Sequence, residues 1–272
     1  MSPDIEIGSG VEVTYCYYFR TPNTESMAIN RWKSQMTAGS HHMIMFLTGD
    51  TDKMPPGTVS DENCGFNSFP LPEWTFAAQT QTTELLLPAD DGAGQPVAQD
   101  IPANTAGFFQ MHYLNATDDP IRARVTLDAE ALEPGVSYTK TAPYITYDSD
   151  ITIPKETFDH VEANSCNVPA TAKFWMMSTH AHKQADNTYV KDGAATVFHG
   201  EEWEHPGAAM FENPQFLTFS SGKLRYECEY DNPSGEVIND GDSALEDEMC
   251  MATGYYFPAT KALFCINSSG PF

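Results

Sequence analysis

Positive charge is scarce in this chain. Only 14 Lys and Arg stand against 38 Asp and Glu, a net charge of −24 over 272 residues. Such a surface repels phosphate backbones, so neither nucleic acid nor an anionic membrane is an expected partner. Long apolar runs are also missing: none approaches the roughly 20 residues that a membrane helix needs. The first residues, MSPDIEIGSG, have no basic flank and no apolar core, so they do not read as a signal peptide. That leaves a cytosolic protein or a chain trimmed to its mature form. No CxxC pair occurs, which argues against a zinc knuckle or a thiol-redox motif. The acidic residues form no single tail; ALEDEM and DSDI read as short solvated loops.

What is present points to an oxidising compartment and to strands. Cys16, Cys64, Cys166, Cys228, Cys250 and Cys265 are dispersed and even in number, the usage of disulfide-bonded proteins. In KLRYECEYDN, Leu224, Tyr226, Cys228 and Tyr230 share one face, and Lys223, Arg225, Glu227 and Glu229 the other. In IRARVTLDAEA, Ile121, Ala123, Val125, Leu127 and Ala129 alternate with polar residues in the same way. Period-two alternation of this kind marks half-buried antiparallel strands. Turn signals such as MPPG, LPADDGAGQP and DNPSGE recur, and no long amphipathic helix is visible. The chain therefore reads as all-β, with antiparallel β-sandwich domains. A stretch with turn residues and little core pattern, EALEPGVSYTKTAPYITYDSDITIP, suggests two domains, 1–143 and 144–272. Bridges that respect this boundary leave one pair in the first domain, Cys16 with Cys64, and three possible connectivities in the second.

Two histidines in FWMMSTHAHKQ, His180 and His182, are separated by one small residue. Residues i and i+2 of a strand point to the same side, so both imidazoles can address one metal. GSHHMIMF carries adjacent His41 and His42, which face opposite ways in a regular strand. To share a metal they need a bulge or a turning strand end; otherwise one is buried and one exposed. His112 lies inside the apolar strand GFFQMHYLN, where a hydrogen-bonded core histidine is the plain reading. Met249, in LEDEMCMATGYY, is core filler or a soft thioether ligand that favours Cu(I) over zinc.

At these residues the sequence resembles the copper type II, ascorbate-dependent monooxygenases, the family of peptidylglycine α-hydroxylating monooxygenase and dopamine β-monooxygenase. HHMIMF is similar to the family's double-histidine signature, FQMHY to the segment with the third ligand, THAH to its HxH motif and DEMC to its methionine motif. The order and the separations agree, and the match covers nearly the whole chain. The resemblance implies bridges Cys16–Cys64, Cys166–Cys265 and Cys228–Cys250, and two tandem jelly-roll domains with one copper each. His41, His42 and His112 would hold an electron-transfer copper on the first domain. His180, His182 and Met249 would hold an oxygen-binding copper on the second. The implied activity is hydroxylation of an activated C–H bond with dioxygen as co-substrate and ascorbate as reductant, using two copper ions per chain. It also implies a secreted or periplasmic protein, expected as a monomer and as a bare catalytic core.

The substrate is where the sequence departs from the family. The arginine that anchors a substrate carboxylate in the peptide-amidating member corresponds to Ser178, and its asparagine and tyrosine helpers correspond to Met251 and Thr253, with Tyr255 and Tyr256 nearby. A serine hydroxyl does not replace a bidentate charged contact. The expected substrate is small or peptide-like, and not a glycine-extended peptide. Elsewhere, His199 and His205, among Glu201, Glu202 and Glu204, read as a loop before a strand, and His160 as a surface residue. Asn115 and Asn267 fit the N-glycosylation pattern. Two other functions compete: a copper-binding or storage protein without turnover, and a zinc hydrolase or lyase built on the HxH strand with His112. Met249 argues against the latter, since thioethers are poor zinc ligands.

Overall fold

The structure is a computed structural model that describes residues 1–62, 64 and 72–272. Among them there are strands and no helix, so the protein is all-β. Among the described residues no helix is long and apolar enough to cross a membrane. The chain divides into two compact units, Met1–Lys140 and Thr141–Phe272. Three disulfides bind Cys16 to Cys64, Cys166 to Cys265 and Cys228 to Cys250, and no cysteine is left free. This full oxidation belongs to an oxidising, extracellular-type environment. Each bridge is worth about 2–4 kcal/mol, chiefly by restricting the unfolded chain.

The first unit contains β1 (Ile5–Ile7), β2 (Glu12–Arg20), β3 (Met27–Met36), β4 (Ser40–Gly49), β5 (Val59–Ser60) and β6 (Glu73–Ala78). It continues with β7 (Thr82–Leu86), β8 (Val97–Ile101), β9 (Ala106–Leu114), β10 (Ile121–Ala123), β11 (Val125–Ala131) and β12 (Thr139–Lys140). One sheet runs β5-β2-β9-β4-β6; another runs β11-β3-β8-β12, with β7 also paired to β3. Trp32 of β3 meets Phe76 of β6 with ring centroids 5.7 Å apart, which locates the interior between the sheets. Met45 pairs with both Phe76 and Phe109, so it lies on that inner side. Phe46, Phe108 and His112 alternate with these residues and lie on the outer side.

The second unit contains β13 (Ala142–Tyr147), β14 (Thr152–Ile153), β15 (Thr157–Asn167), β16 (Lys173–Ala181), β17 (Ala185–Asp192) and β18 (Ala195–Gly200). It continues with β19 (Ala209–Met210), β20 (Lys223–Asn232), β21 (Ile238–Asn239), β22 (Cys250–Phe257) and β23 (Leu263–Ile266). Its sheets are β19-β16-β22-β13-β23 and β15-β20-β17-β18. Phe174, Met177 and Tyr256 of one join Leu224, Tyr226 and Tyr230 of the other in one buried core. KLRYECEYDN is therefore the half-buried strand its alternation describes.

Several readings of the sequence need correction. IRARVTLDAEA is two strands: β10 pairs with β1 and β11 with β3, because the chain leaves one sheet for another at Arg124. The alternation continues through this break because both pieces bury the same parity. The stretch taken as a low-core boundary supplies β13, whose Tyr144 is fully buried. Ala142–Tyr147 is covered on both faces, so its signal is an apolar run without alternation. The acidic clusters are not wholly solvated either, since Asp148 is 1% and Glu248 0% exposed. Asn115, which fits the N-glycosylation pattern, is 1% exposed, and its amide donates to the carbonyls of Ile7, Gly8 and Asp119.

The same turn occurs in the second unit and shows that the two units share one plan. Asn232 donates to the carbonyls of Ile153, Pro154 and Glu236, and its oxygen accepts from the N–H and hydroxyl of Ser234. Asn115 accepts in the same way from Thr117. The strand orders correspond: β2-β9-β4-β6 with β15-β20-β17-β18, the pair β3–β11 with β16–β22, and β1–β10 with β14–β21. Replacing Asn232 by Ala leaves three carbonyls without this donor. It is expected to destabilise the protein by about 1–3 kcal/mol or more, read as a lowered denaturation midpoint. Expression in a glycosylating host should leave Asn115 unmodified, as mass spectrometry would show.

Candidate functional site

The double histidine sits at the start of β4, and a bulge lies there. Ser40 stands opposite Tyr113 and His42 opposite His112, so His41 is the extra residue between two ladder steps. A bulge sets two residues against one and lets consecutive side chains point to the same side. The three rings consequently gather on the outer face of the sheet. Their centroids are 5.1 Å apart for His41–His42, 5.2 Å for His41–His112 and 5.1 Å for His42–His112, with steep interplanar angles of 60°, 84° and 77°. Ring nitrogens of His41 and His42 come within 4.8 Å of each other. Imidazoles bound at about 2.0 Å in tetrahedral directions have centroids about 5 Å apart. The centroid spacings of the trio are those of three imidazoles around one ion.

A residue that the sequence did not single out completes this group. Glu12, on neighbouring β2, lies 2.9 Å from His112 Nε2, and His112 is 2% exposed. A carboxylate only accepts, so the imidazole carries its proton on Nε2 and its lone pair on Nδ1. Such an outer hydrogen bond fixes the tautomer and raises ligand basicity. The register explains the contact, because Thr14 is opposite His112 and Glu12 follows two residues along the same face. Only the pairing of two strands about a hundred residues apart reveals it.

In the second unit His180 is the next-to-last residue of β16, and His182 lies one residue past its end. Met177 and Ala181 belong to the core, so His180, of opposite parity, lies on the side away from it. His180 and His182 have ring centroids 5.3 Å apart at 88°, again the spacing of two ligands on one ion. His180 is opposite Met251 and Ala181 opposite Cys250. The ladder ends at that pair, and His182 and Met249 each lie one residue beyond it. Met249 is half-buried and lies outside the hydrophobic core, so it is not core filler. His182 is fully buried, and its Nδ1 is 3.2 Å from the Asp247 carbonyl oxygen. A carbonyl accepts, which puts the proton on Nδ1 and the lone pair on Nε2.

Three tethers hold the Met249 segment. The Cys228–Cys250 bridge secures the next residue to β20. The Tyr230 hydroxyl donates to the Met249 carbonyl at 2.9 Å. Glu248 accepts from the backbone N–H groups of His182, Gln184 and Met249, and burial pushes its carboxyl up to about 8.

The clamp positions are neutral. Ser178 and Thr253 are cross-strand partners, and the Ser178 hydroxyl donates to the Gly207 carbonyl at 2.5 Å. Met251 is buried, Tyr255 stacks on Trp175 at 5.0 Å, and Tyr256 joins the core and donates to the Lys261 carbonyl. His199 is in strand β18 rather than in a loop; it stacks on Tyr189 at 4.5 Å and hydrogen-bonds Asn187. His205 is exposed in the loop that follows, and His160 hydrogen-bonds Glu162 at 2.9 Å.

Replacing Glu12 by Gln should weaken metal binding at the trio by about 10–100-fold without unfolding the unit, measured by metal titration alongside thermal denaturation. No protein-family model matches this chain, and no curated protein is significantly similar to it.

Proposed function

We propose that this chain is a secreted or periplasmic monooxygenase of the copper type II, ascorbate-dependent kind, with one copper on each of two jelly-roll units. One observation carries the reading: the bulge at His41 that turns two adjacent imidazoles to the same side as His112. Adjacent histidines of a regular strand face opposite ways and cannot share an ion; with the bulge they can.

His41, His42 and His112 form an all-nitrogen set that tolerates both copper oxidation states, as an electron-transfer site requires. His180, His182 and Met249 form a softer set that favours Cu(I). When bound, copper supplies one-electron transfer and the activation of dioxygen against an activated C–H bond, with ascorbate as reductant. The chain's own residues set the ligand atoms. Glu12 holds the proton of His112 on Nε2, and the Asp247 carbonyl holds that of His182 on Nδ1. Each hydrogen bond fixes the orientation of its imidazole and the nitrogen that presents a lone pair. Ser178 and Thr253 offer hydroxyls and no charge, which suits a small or peptide-like substrate that does not depend on a carboxylate.

The same neutral pair favours a second reading, a copper-binding or storage protein that does not turn over. Metal analysis with oxygen uptake separates the two. The monooxygenase should take up two coppers per chain and consume oxygen with ascorbate in a substrate-dependent way. Copper uptake without oxygen consumption across a broad substrate panel would favour storage, and zinc that resists displacement by copper would reject both. Met249→Ile should abolish hydroxylation while leaving the copper at His41, His42 and His112. Loss of both coppers together would count against separate sites.

A further inference from the structure

We infer that Glu248 is a positioning residue: its carboxylate clamps the segments carrying His182 and Met249, and so sets the thioether against the imidazole. The inference rests on the metal reading of these residues. Glu248 is fully buried. Its Oε2 accepts from the backbone N–H groups of His182 at 3.0 Å and Met249 at 3.2 Å, and its Oε1 from that of Gln184 at 2.6 Å. The donors come from two segments that are 64–66 residues apart in the chain. Its own backbone is held from another side, with its N–H on the Asn239 carbonyl and its carbonyl on the Gly241 N–H. Side chain and main chain thus tie three segments together at one residue.

The need for such a tie follows from where the ligands sit. The β16–β22 ladder runs as far as Ala181 and Cys250 and stops. His182 and Met249 both lie one step beyond it, where no strand pairing fixes the backbone. Three N–H groups at this point converge on one acceptor, which a carboxylate meets with two oxygens and several lone pairs. Both oxygens are already engaged, so Glu248 acts neither as a metal ligand nor as a surface charge. An amide has the same shape but one oxygen, and its NH2 would face a backbone N–H. Glu248→Gln therefore tests the clamp with little change in volume, and Glu248→Asp tests its reach.

The experiment reads the copper–sulfur contribution in X-ray absorption of the reduced, copper-loaded full chain, with copper stoichiometry and thermal denaturation alongside. Wild type should give two coppers and a copper–sulfur shell. Glu248→Gln should keep the copper at His41, His42 and His112, lose the sulfur shell, and weaken the other copper by about 10–100-fold. Glu248→Asp should fall between the two. A Gln variant with unchanged sulfur scattering and affinity overturns the inference. Amide hydrogen exchange of the wild type supplies a measurement that needs no variant. The N–H groups of His182, Gln184 and Met249 should be strongly protected, and rapid exchange there would reject the clamp even if both variants fail to fold. A wild type without any copper–sulfur shell rejects the metal reading itself, a result distinct from a shell that survives the substitution.

Discussion

One extra residue in β4 governs the first site. Side chains in a strand alternate strictly, so adjacent histidines are driven to opposite faces of a sheet. At His41 the ladder skips, and the skipped residue turns out to the same side as its neighbour. Without it, His41 would share a face with Met43 and Met45, and an imidazole would enter an interior of thioethers and aromatic rings. The bulge removes that conflict and creates a three-imidazole group in the same step. Everything else in the group is regular: His112 comes from unbroken β9, and Glu12 from unbroken β2.

The second unit reaches a similar result by other means. HxH needs no bulge: His180 ends the outward face of β16, and His182, just past the strand, keeps its ring 5.3 Å from that of His180. Its difficulty lies with the third member. Met249 precedes its strand and receives no support from the ladder, so the structure surrounds it with a disulfide at Cys250, a tyrosine hydroxyl and a buried carboxylate. An ionised or proton-bearing carboxyl inside a protein is stable only when its oxygens are met by donors. Here the donors are the backbone N–H groups of His182, Gln184 and Met249, so burial of the carboxyl and placement of those segments are one event.

The units repeat one strand plan, down to the Asn115 and Asn232 turns, yet their side-chain clusters lie on different sheets. In the first, the histidines occupy β4 and β9; in the second, His180 lies on β16, the counterpart of β3, and His182 one residue past its end. The repeated plan explains stability, because both units bury the same kind of core and anchor the same turn. It does not explain the clusters, which are local additions of a few side chains on a shared frame.

The residues alone determined a good deal. Alternation made the all-β class legible, because period two is a local property of the chain. The cysteine pattern announced an oxidised protein, and the HxH spacing placed two imidazoles together without reference to any other segment. Adjacent His41 and His42 also posed a definite question, since a regular strand forbids them to cooperate. Tertiary structure decided the rest. Whether the bulge forms depends on how β4 registers against β9. Glu12 meets His112 only because β2 pairs with β9, and Glu248, which looked like one solvated acid among several, is enclosed by segments far away in the chain. Side-chain periodicity is written in neighbouring residues, whereas the burial of a carboxylate and the partner of an imidazole are set by contacts that no local pattern encodes.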